Sequence, residues 1–410
     1  MTFPALDHEA RLYLAAHPFA YPLMRLLARL GPVVRVPGMG VVVNDAAVAR
    51  AVLTDERFRK DGPGSPGDLW TPVLGPSVLL NMEGPGHLAL RRKLMPLFTP
   101  GHVADLVAEV LREPLAALDA RLARGETVDL VDVMRVMAGA VICRTIGLGG
   151  GSGPGSGGVS EERARELFAE GERVVSMVSL RSRRLSDRQV AVARRVLDRI
   201  GDIAQAAYEA GDESTIMGRM RGLGLSAAEA RGAAGAFFLT GTETVATFVP
   251  RLVALIHDHG TAVDDLDRVI DEAMRVTTPT PVMLRSVAAP ALIRGNGEIR
   301  ADGEVRAADE GSGAAKIREV AVRPGDRVLI VTHNCARAHG PFDPSRPHPP
   351  ELRRLWFGAG PHFCIGYPLA LAEIRAVASV LLSHRVRVVR RRAARGVLIP
   401  TYEHLWITAS

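Results

Sequence analysis

Ser226 stands three residues before Glu229, the pattern of a helix capping box, and good helix formers then continue to about residue 258. Residues 232–256 of this run are the longest apolar stretch of the chain, yet they include Glu243, Arg251 and several threonines. A bilayer would penalise those groups heavily, so the segment is expected to be a buried core helix and not a membrane span. The chain has 410 residues, 47% of them hydrophobic, enough to enclose such a helix and a cofactor beside it. Within the helix, Gly241 costs about 1 kcal/mol relative to alanine and asks for a reason. Either a neighbour packs against it, with Thr242 and Thr244 bonding back to carbonyls, or the helix opens there. Pro250, further on, is expected to kink the same helix.

The remaining pattern is mainly α. Helical periodicity fills 103–124, 160–180, 186–211, 262–276 and 368–384. Strand-like runs are short: 33–44, 326–333 and the C-terminal 386–408. The length alone suggests two or three domains. The glycine-rich segment 147–160 has the composition of a linker but is read as a surface loop, because neither side of it carries a complete site. Residues 294–318 read as an extended hairpin or insertion without chemistry.

Net charge is +6, and lysine occurs only at 60, 93 and 316, so the positive charge is almost all arginine spread along the chain. No nucleic-acid-binding motif accompanies it, and a basic docking face for an acidic protein is the better reading. Three cysteines, Cys143, Cys335 and Cys364, cannot build a disulfide framework and point to a reducing cytoplasm. The N-terminus lacks the pattern of a signal peptide. No membrane partner is expected.

Cys364 lies in WFGAGPHFCIGYPLALAEIR, residues 356–375. Gly358, Gly360 and Gly366 allow positive φ or a close approach to a flat object. Pro368 suits the first turn of the helix that follows, so Cys364 is placed just before a helix N-terminus, where N–H groups and the helix dipole favour a thiolate. Such a sulfur can be a nucleophile, with His362 as base, or a metal ligand. There is no CxxC for zinc. A lone thiolate suits haem iron, to which the porphyrin gives four ligands.

The run Phe357-Gly358-x-Gly360-x-His362-x-Cys364-x-Gly366 resembles the haem-binding signature of the cytochrome P-450 family at each defining position. Three further stretches follow in family order. Glu272 and Arg275 of DEAMR share a helix face and resemble the family's ExxR pair, with Arg346 of FDPSR offered as the third member. In FFLTGTETVATF, Gly241 resembles the oxygen-groove glycine, and Glu243 and Thr244 an acid–alcohol pair that relays protons. Thr240 departs from the usual Ala or Gly and could narrow the oxygen pocket. His87, Arg91, Arg285 and His362 fall where the family places its partners for the haem propionates. The run CARAHGPFDPSR departs from the family's usual Ala-Asn-Arg-Asp sequence.

The resemblance implies the cytochrome P-450 fold: a single, triangular, mainly helical domain with a small β-rich region. It implies a monooxygenase using haem (heme b, iron protoporphyrin IX) on Cys364 and O2 as co-substrate. Electrons would come from NAD(P)H through a ferredoxin reductase and a ferredoxin, landing near Arg353, Arg354, Arg92 and Lys93. By the same resemblance the substrate pocket includes Phe237, Phe238, Thr240, Val282 and Met283, with the segments 70–80 and 399–402. A mid-sized organic substrate of bacterial secondary metabolism is expected, hydroxylated, epoxidised or oxidatively coupled by a cytoplasmic monomer. Arg181, Arg183 and Arg184 could meet a substrate carboxylate. The alternatives are an H2O2-using peroxygenase, a haem-binding sensor without turnover, or a colourless thiol hydrolase using Cys364 and His362.

Overall fold

The computed structural model describes residues 7–149, 159–178, 182, 184–301 and 318–410. Most of the glycine-rich segment 147–160 and of the insertion 294–318, and Arg181 and Arg183, lie outside the described residues. The helices are α1 (His8–Ala16), α2 (Ala20–Leu30), α3 (Ala46–Thr54), α4 (Pro66–Leu74), α5 (Gly84–Leu94), α6 (Pro100–Ala123), α7 (Leu130–Thr145), α8 (Glu161–Val175), α9 (Asp187–Ala210), α10 (Ile216–Gly222), α11 (Ala227–His259), α12 (Leu266–Thr277), α13 (Thr332–Arg337) and α14 (Tyr367–Ser383). The strands are β1 (Val33–Val36), β2 (Gly40–Val43), β3 (Phe58–Arg59), β4 (Val128–Asp129), β5 (Met283–Val287), β6 (Ala291–Arg294), β7 (Ile299–Ala301), β8 (Glu319–Val322), β9 (Arg327–Ile330), β10 (Arg387–Ala393) and β11 (Tyr402–Thr408).

The capping box forms in full: the Glu229 N–H donates to Ser226 Oγ at 3.2 Å, and the Ser226 N–H donates to Glu229 Oε2 at 2.7 Å. Helix α11 then runs through Gly241 and Pro250 without a break and stops where Gly260 takes the left-handed conformation. It packs against α7, α8, α9, α12 and α14 and is the central helix of the core. It is the one described helix long and apolar enough to cross a membrane, and its place in the core accounts for that composition.

Three small sheets flank the helices. The largest has the strand order β1-β2-β9-β5-β3, with β2 and β9 parallel and the other pairs antiparallel. The other two have the orders β10-β11-β4 and β7-β6-β8. Antiparallel pairing of Met283 with Ile330 and of Arg285 with Val328 fixes the register of β5. This register decides which side chains of β5 reach the functional site.

Sequence periodicity did not anticipate α1 to α4. These are helices of 9 to 11 residues, and they are fixed more by local caps and tertiary contacts than by a long apolar repeat. Asp45, for example, caps α3 by accepting from the N–H groups of Ala47 and Val48 at 2.9 and 3.1 Å.

Arg251, one residue after Pro250, is fully buried. Its guanidinium pairs with the carboxylate of Glu9 and donates to the carbonyls of Thr277 at 2.7 Å and Pro400 at 3.1 Å. The Tyr13 hydroxyl donates to the same Thr277 carbonyl at 2.7 Å. One buried cation therefore joins α1, α11, the end of α12 and the approach to β11. Removing its counter-ion leaves an unpaired buried charge, so Glu9→Ala is expected to cost about 3–5 kcal/mol. Urea unfolding would show this as a large fall in midpoint, and an unchanged midpoint would contradict the network.

Candidate active site

The cysteine loop is closed by its own backbone. The Cys364 N–H donates to the Phe357 carbonyl at 2.9 Å, and the Phe363 N–H donates to the Gly360 carbonyl at 3.1 Å. Gly358 (φ 84) and Gly360 (φ 64) hold the left-handed conformations this turn requires. A Cβ on Gly360 would also lie 2.9 Å from the Leu53 carbonyl oxygen. Gly366 is different: its φ is −80, and its value is space, since a Cβ there would stand 4.0 Å from Cys364 Sγ. Helix α14 begins at Tyr367 with Pro368 in its first turn.

Cys364 is accessible, whereas Cys143 and Cys335 are buried in the core. Burial nevertheless pushes the Cys364 thiol above its ordinary range, with the N–H groups of Gly366 and Tyr367 and the charges of Arg91 and Lys60 opposing. The sulfur is thus enclosed by protein and accessible from an internal space. The helix terminus does not by itself secure a thiolate, as the sequence led us to expect, because desolvation outweighs it. Negative charge on this sulfur calls for a cation bound to it.

Helix α11 supplies a second accessible surface. Thr240 and Gly241 are exposed although Phe238 and Leu239 before them are buried, and no atom lies within 4 Å of a Cβ built on Gly241. Packing against Gly241 is therefore not its purpose; it borders open space. Phe98 connects the two surfaces: its ring lies 4.0 Å from the Cβ position of Gly366 and meets the Phe237 ring edge-on at 5.3 Å. The helix is not opened at Gly241. Instead the Thr240 hydroxyl donates to the Ala236 carbonyl at 2.8 Å, and the Thr244 hydroxyl reaches the Thr240 carbonyl at 3.4 Å. The half-buried Glu243 has its carboxyl pushed up to about 8, first by burial and then by Glu172, with Arg135 opposing. Arg135 and Glu172 pair with each other at 2.9 Å.

Around the cysteine loop the structure gathers His87, Arg91, Arg285 and His362, as the sequence indicated. Arg91 donates to the Phe363 carbonyl at 2.7 Å, and Arg285 is buried with its Nε unpartnered. Burial pushes Arg285 down to about 10 and His362 down to about 4. The His87 and His362 rings lie 4.2 Å apart, and His362 Nε2 lies 2.9 Å from Glu83 Oε2. Both imidazoles are held below their ordinary range by burial, so the permanent cations are the arginines.

Two members of this cluster were missed from the sequence. Glu83 accepts from the Lys60 N–H at 2.5 Å, and His362 and this bond hold its carboxyl below the ordinary range against the effect of burial. The Lys60 ammonium is enclosed beside Arg285, Glu83, Cys364 and Arg91; burial, then Arg285, push it down to about 7. The rarity of lysine in this arginine-rich chain was the available signal for Lys60.

These residues fit haem. One accessible sulfur, an unpartnered buried guanidinium nitrogen, an unpaired lysine and open space beside Gly241 are the groups that a thiolate-bound porphyrin with two carboxylates would satisfy. Among the described residues no three His, Cys, Asp or Glu side chains cluster to hold a bare metal ion.

The ExxR pair is buried, and its third member differs from the sequence expectation. Arg275 donates to Glu272 at 2.7 and 2.6 Å and to the carbonyls of Ala336, Gly340 and Pro341. Glu272 also receives the Asp343 N–H at 2.7 Å and His348 Nε2 at 2.8 Å. Burial opposes charge on Glu272, but these partners hold its carboxyl below the ordinary range. Arg346 does not reach Glu272. It turns to the carbonyls of His339 and Pro341 and to Asp343 at 3.3 Å, closing the 339–346 turn itself. His348, two residues beyond the run that departs from the family pattern, takes its place.

Two pocket assignments also change. Phe238 is fully buried in the core and presents no surface to the space beside Gly241. Val282 packs with Leu284 against Met24 and Leu27 of α2, while Met283 and Arg285 face the cysteine loop. Side chains alternate along a strand, so Val282 is out of phase with the site. Met283 Sδ lies 4.0 Å from the Cβ position of Gly358, and Trp70, Leu79, Met82 and Leu398 share the apolar cluster with Phe237. Of the four expected docking cations, Arg353, Arg354 and Arg92 are exposed, whereas Lys93 pairs with Glu229 at 3.2 Å.

No protein-family model matches the chain. It is similar to the cytochrome P-450 monooxygenase DoxA of Streptomyces sp. (strain C5), 26% identical over 423 residues, covering 90% of each chain. The fold is similar to that of P450BioI in its complex with a fatty-acyl-loaded acyl carrier protein, with a TM-score of 0.74 at 17% identity over 98% of this chain and 100% of that one. It is also similar to that of epothilone D-bound P450epoK, with a TM-score of 0.72 at 17% identity over 100% of this chain and 99% of the other. The fold is that of the cytochrome P-450 proteins. The similarity to curated cytochrome P-450 monooxygenases extends along nearly the whole sequence.

The two candidate partners of Glu272 can be separated by mutation. His348→Ala leaves a buried carboxylate short of a donor and is expected to cost about 1–3 kcal/mol. Arg346→Ala, at a partly exposed pair, is expected to cost less than about 1 kcal/mol. Urea unfolding of both variants measures this, and equal losses would restore Arg346 to the network.

Proposed function

We propose that the protein is a haem-thiolate monooxygenase that inserts one oxygen atom from O2 into a small or mid-sized organic molecule of bacterial secondary metabolism. The observation that carries this reading is an accessible Cys364 just before α14, joined through Phe98 and Phe237 to the helix that carries the open space beside Gly241. The names of the relatives support the substrate class: DoxA is a monooxygenase, and two further Streptomyces and Saccharopolyspora relatives are a mycaminosyltylactone 23-monooxygenase and an erythromycin C-12 hydroxylase.

Haem b, when bound, supplies reductive activation of O2. The chain's own residues do the rest. Cys364 ligates the iron. Arg91, Arg285 and Lys60, with His87, hold the porphyrin carboxylates. Trp70, Leu79, Met82 and Phe237 exclude water from the apolar side and favour an apolar substrate. Glu243, with its carboxyl pushed up to about 8, carries a proton at neutral pH, and Thr244 stands one residue along the helix to pass it on. The Thr240 hydroxyl is engaged by the Ala236 carbonyl, which turns it back along α11 and away from the role of a block. Electrons come from NAD(P)H through a ferredoxin reductase and a ferredoxin, for which exposed Arg92, Arg353 and Arg354 give a basic landing face.

Retention of an acid and an alcohol beside Gly241 favours O2 over H2O2 as the oxidant. Turnover of a panel of macrolide-sized compounds with isotope-labelled O2, ferredoxin and reductase is expected to give product bearing one labelled oxygen. Glu243→Gln and Thr244→Ala are each expected to lower coupled product formation by about a hundredfold. The raised Glu243 carboxyl loses its proton as pH passes about 8, so the wild-type rate is expected to fall above that pH while the Glu243→Gln rate stays flat. Equal turnover with H2O2 alone would favour a peroxygenase. Haem binding without product under either condition would favour a sensor.

A further inference from the structure

Residues 10–44 contain four arginines and no aspartate or glutamate. Helix α2 lies in this stretch and is apolar on both sides. Its inner side buries Tyr21, Met24 and Leu27; Met24 and Leu27 pack on Val42, Leu329 and Val331 of the largest sheet, and Tyr21 stacks on Tyr13. Its outer side exposes Phe19 (78%), Leu23 (40%), Leu26 (53%) and Leu30 (46%), which make up four of the seven large hydrophobic side chains exposed in the described structure. Their spacing of four, three and four residues places them in one narrow stripe along the helix. Pro18 and Pro22 are exposed on the same side, and so are Arg25 and Arg29, which flank it. Neither arginine pairs with a carboxylate among the described residues.

A helix face that carries four large apolar side chains, two free cations and no acid is poorly suited to water. It is also not a spanning element, since α2 is 11 residues long and its inner side is committed to the sheet. We propose that this outer face of α2 seats the protein reversibly on the surface of an anionic lipid bilayer. The aliphatic stripe enters the boundary between headgroups and acyl chains, and Arg25 and Arg29 stay at phosphate level. Charge complementarity selects the occupant. An acid-free helix face bearing the unpaired Arg25 and Arg29 is attracted to an anionic surface, whereas a second copy of the same face would bring like charges together. This revises the expectation that the protein has no membrane partner, without adding a membrane span.

Flotation of the haem-loaded protein with vesicles of equimolar phosphatidylglycerol and phosphatidylcholine tests the assignment. The wild type is expected to float with these vesicles, and about tenfold less with phosphatidylcholine alone or in high salt. The pair Leu23→Ser with Leu26→Ser, and the pair Arg25→Gln with Arg29→Gln, are each expected to reduce bound protein by about tenfold at an unchanged melting temperature. If the leucine pair fails to fold, the exposed arginine pair alone decides. Wild-type protein that stays unbound to anionic vesicles overturns the proposal, as do folded variants that bind as the wild type does. A dimer on gel filtration that the leucine pair dissociates, with no vesicle binding, would assign the face to a second copy instead.

Discussion

The proposed function depends on keeping one sulfur charged inside a protein. Burial works against a thiolate at Cys364, and two backbone N–H groups and two cations do not overcome it. A metal bound to the sulfur removes that conflict, and the rest of the site can be understood as provision for the ligand that brings the metal. The backbone of 357–364 closes on itself, so the sulfur has a fixed position before α14. Arg91 ties that loop to α5 through the Phe363 carbonyl. Helix α11 presents Gly241, where a Cβ would meet open space.

The same physics recurs away from the sulfur. Away from the cysteine loop, two buried arginines are met by dense sets of partners. Arg275 and Glu272 are satisfied by each other, by three carbonyls, by a backbone N–H and by His348. Arg251 is satisfied by Glu9 and two carbonyls. Such networks add little net stability relative to an apolar core, but they penalise any arrangement that separates their members. They join segments far apart in sequence, which is what a site assembled from α5, β5, α11 and the cysteine loop needs.

Much of this was legible in the sequence. The cysteine loop, the capped helix through Gly241 and the Glu272–Arg275 spacing are local patterns, and local patterns survive translation into structure. The failures lie where the third dimension decides. Arg346 was assigned to Glu272 because of its place in FDPSR, but that turn folds so that Arg346 serves its own carbonyls and His348 arrives in its stead. Val282 was placed in the pocket beside Met283, yet the pairing of β5 with β9 sends neighbours to opposite faces. Phe238 follows Phe237 on a helix and therefore points elsewhere. Lys60 and Glu83 belong to no motif; only the approach of β3 to the start of α5 brings them to the cysteine loop.

The central claim is that Cys364 binds haem iron as a thiolate. The dithionite-reduced, carbon monoxide-bound absorption spectrum measures this directly. The strongly red-shifted Soret band of a thiolate ligand is expected in the wild type, and its loss in Cys364→Ser. A wild-type spectrum with the shorter-wavelength band of a nitrogen-ligated haem, or no haem at all, would contradict the account.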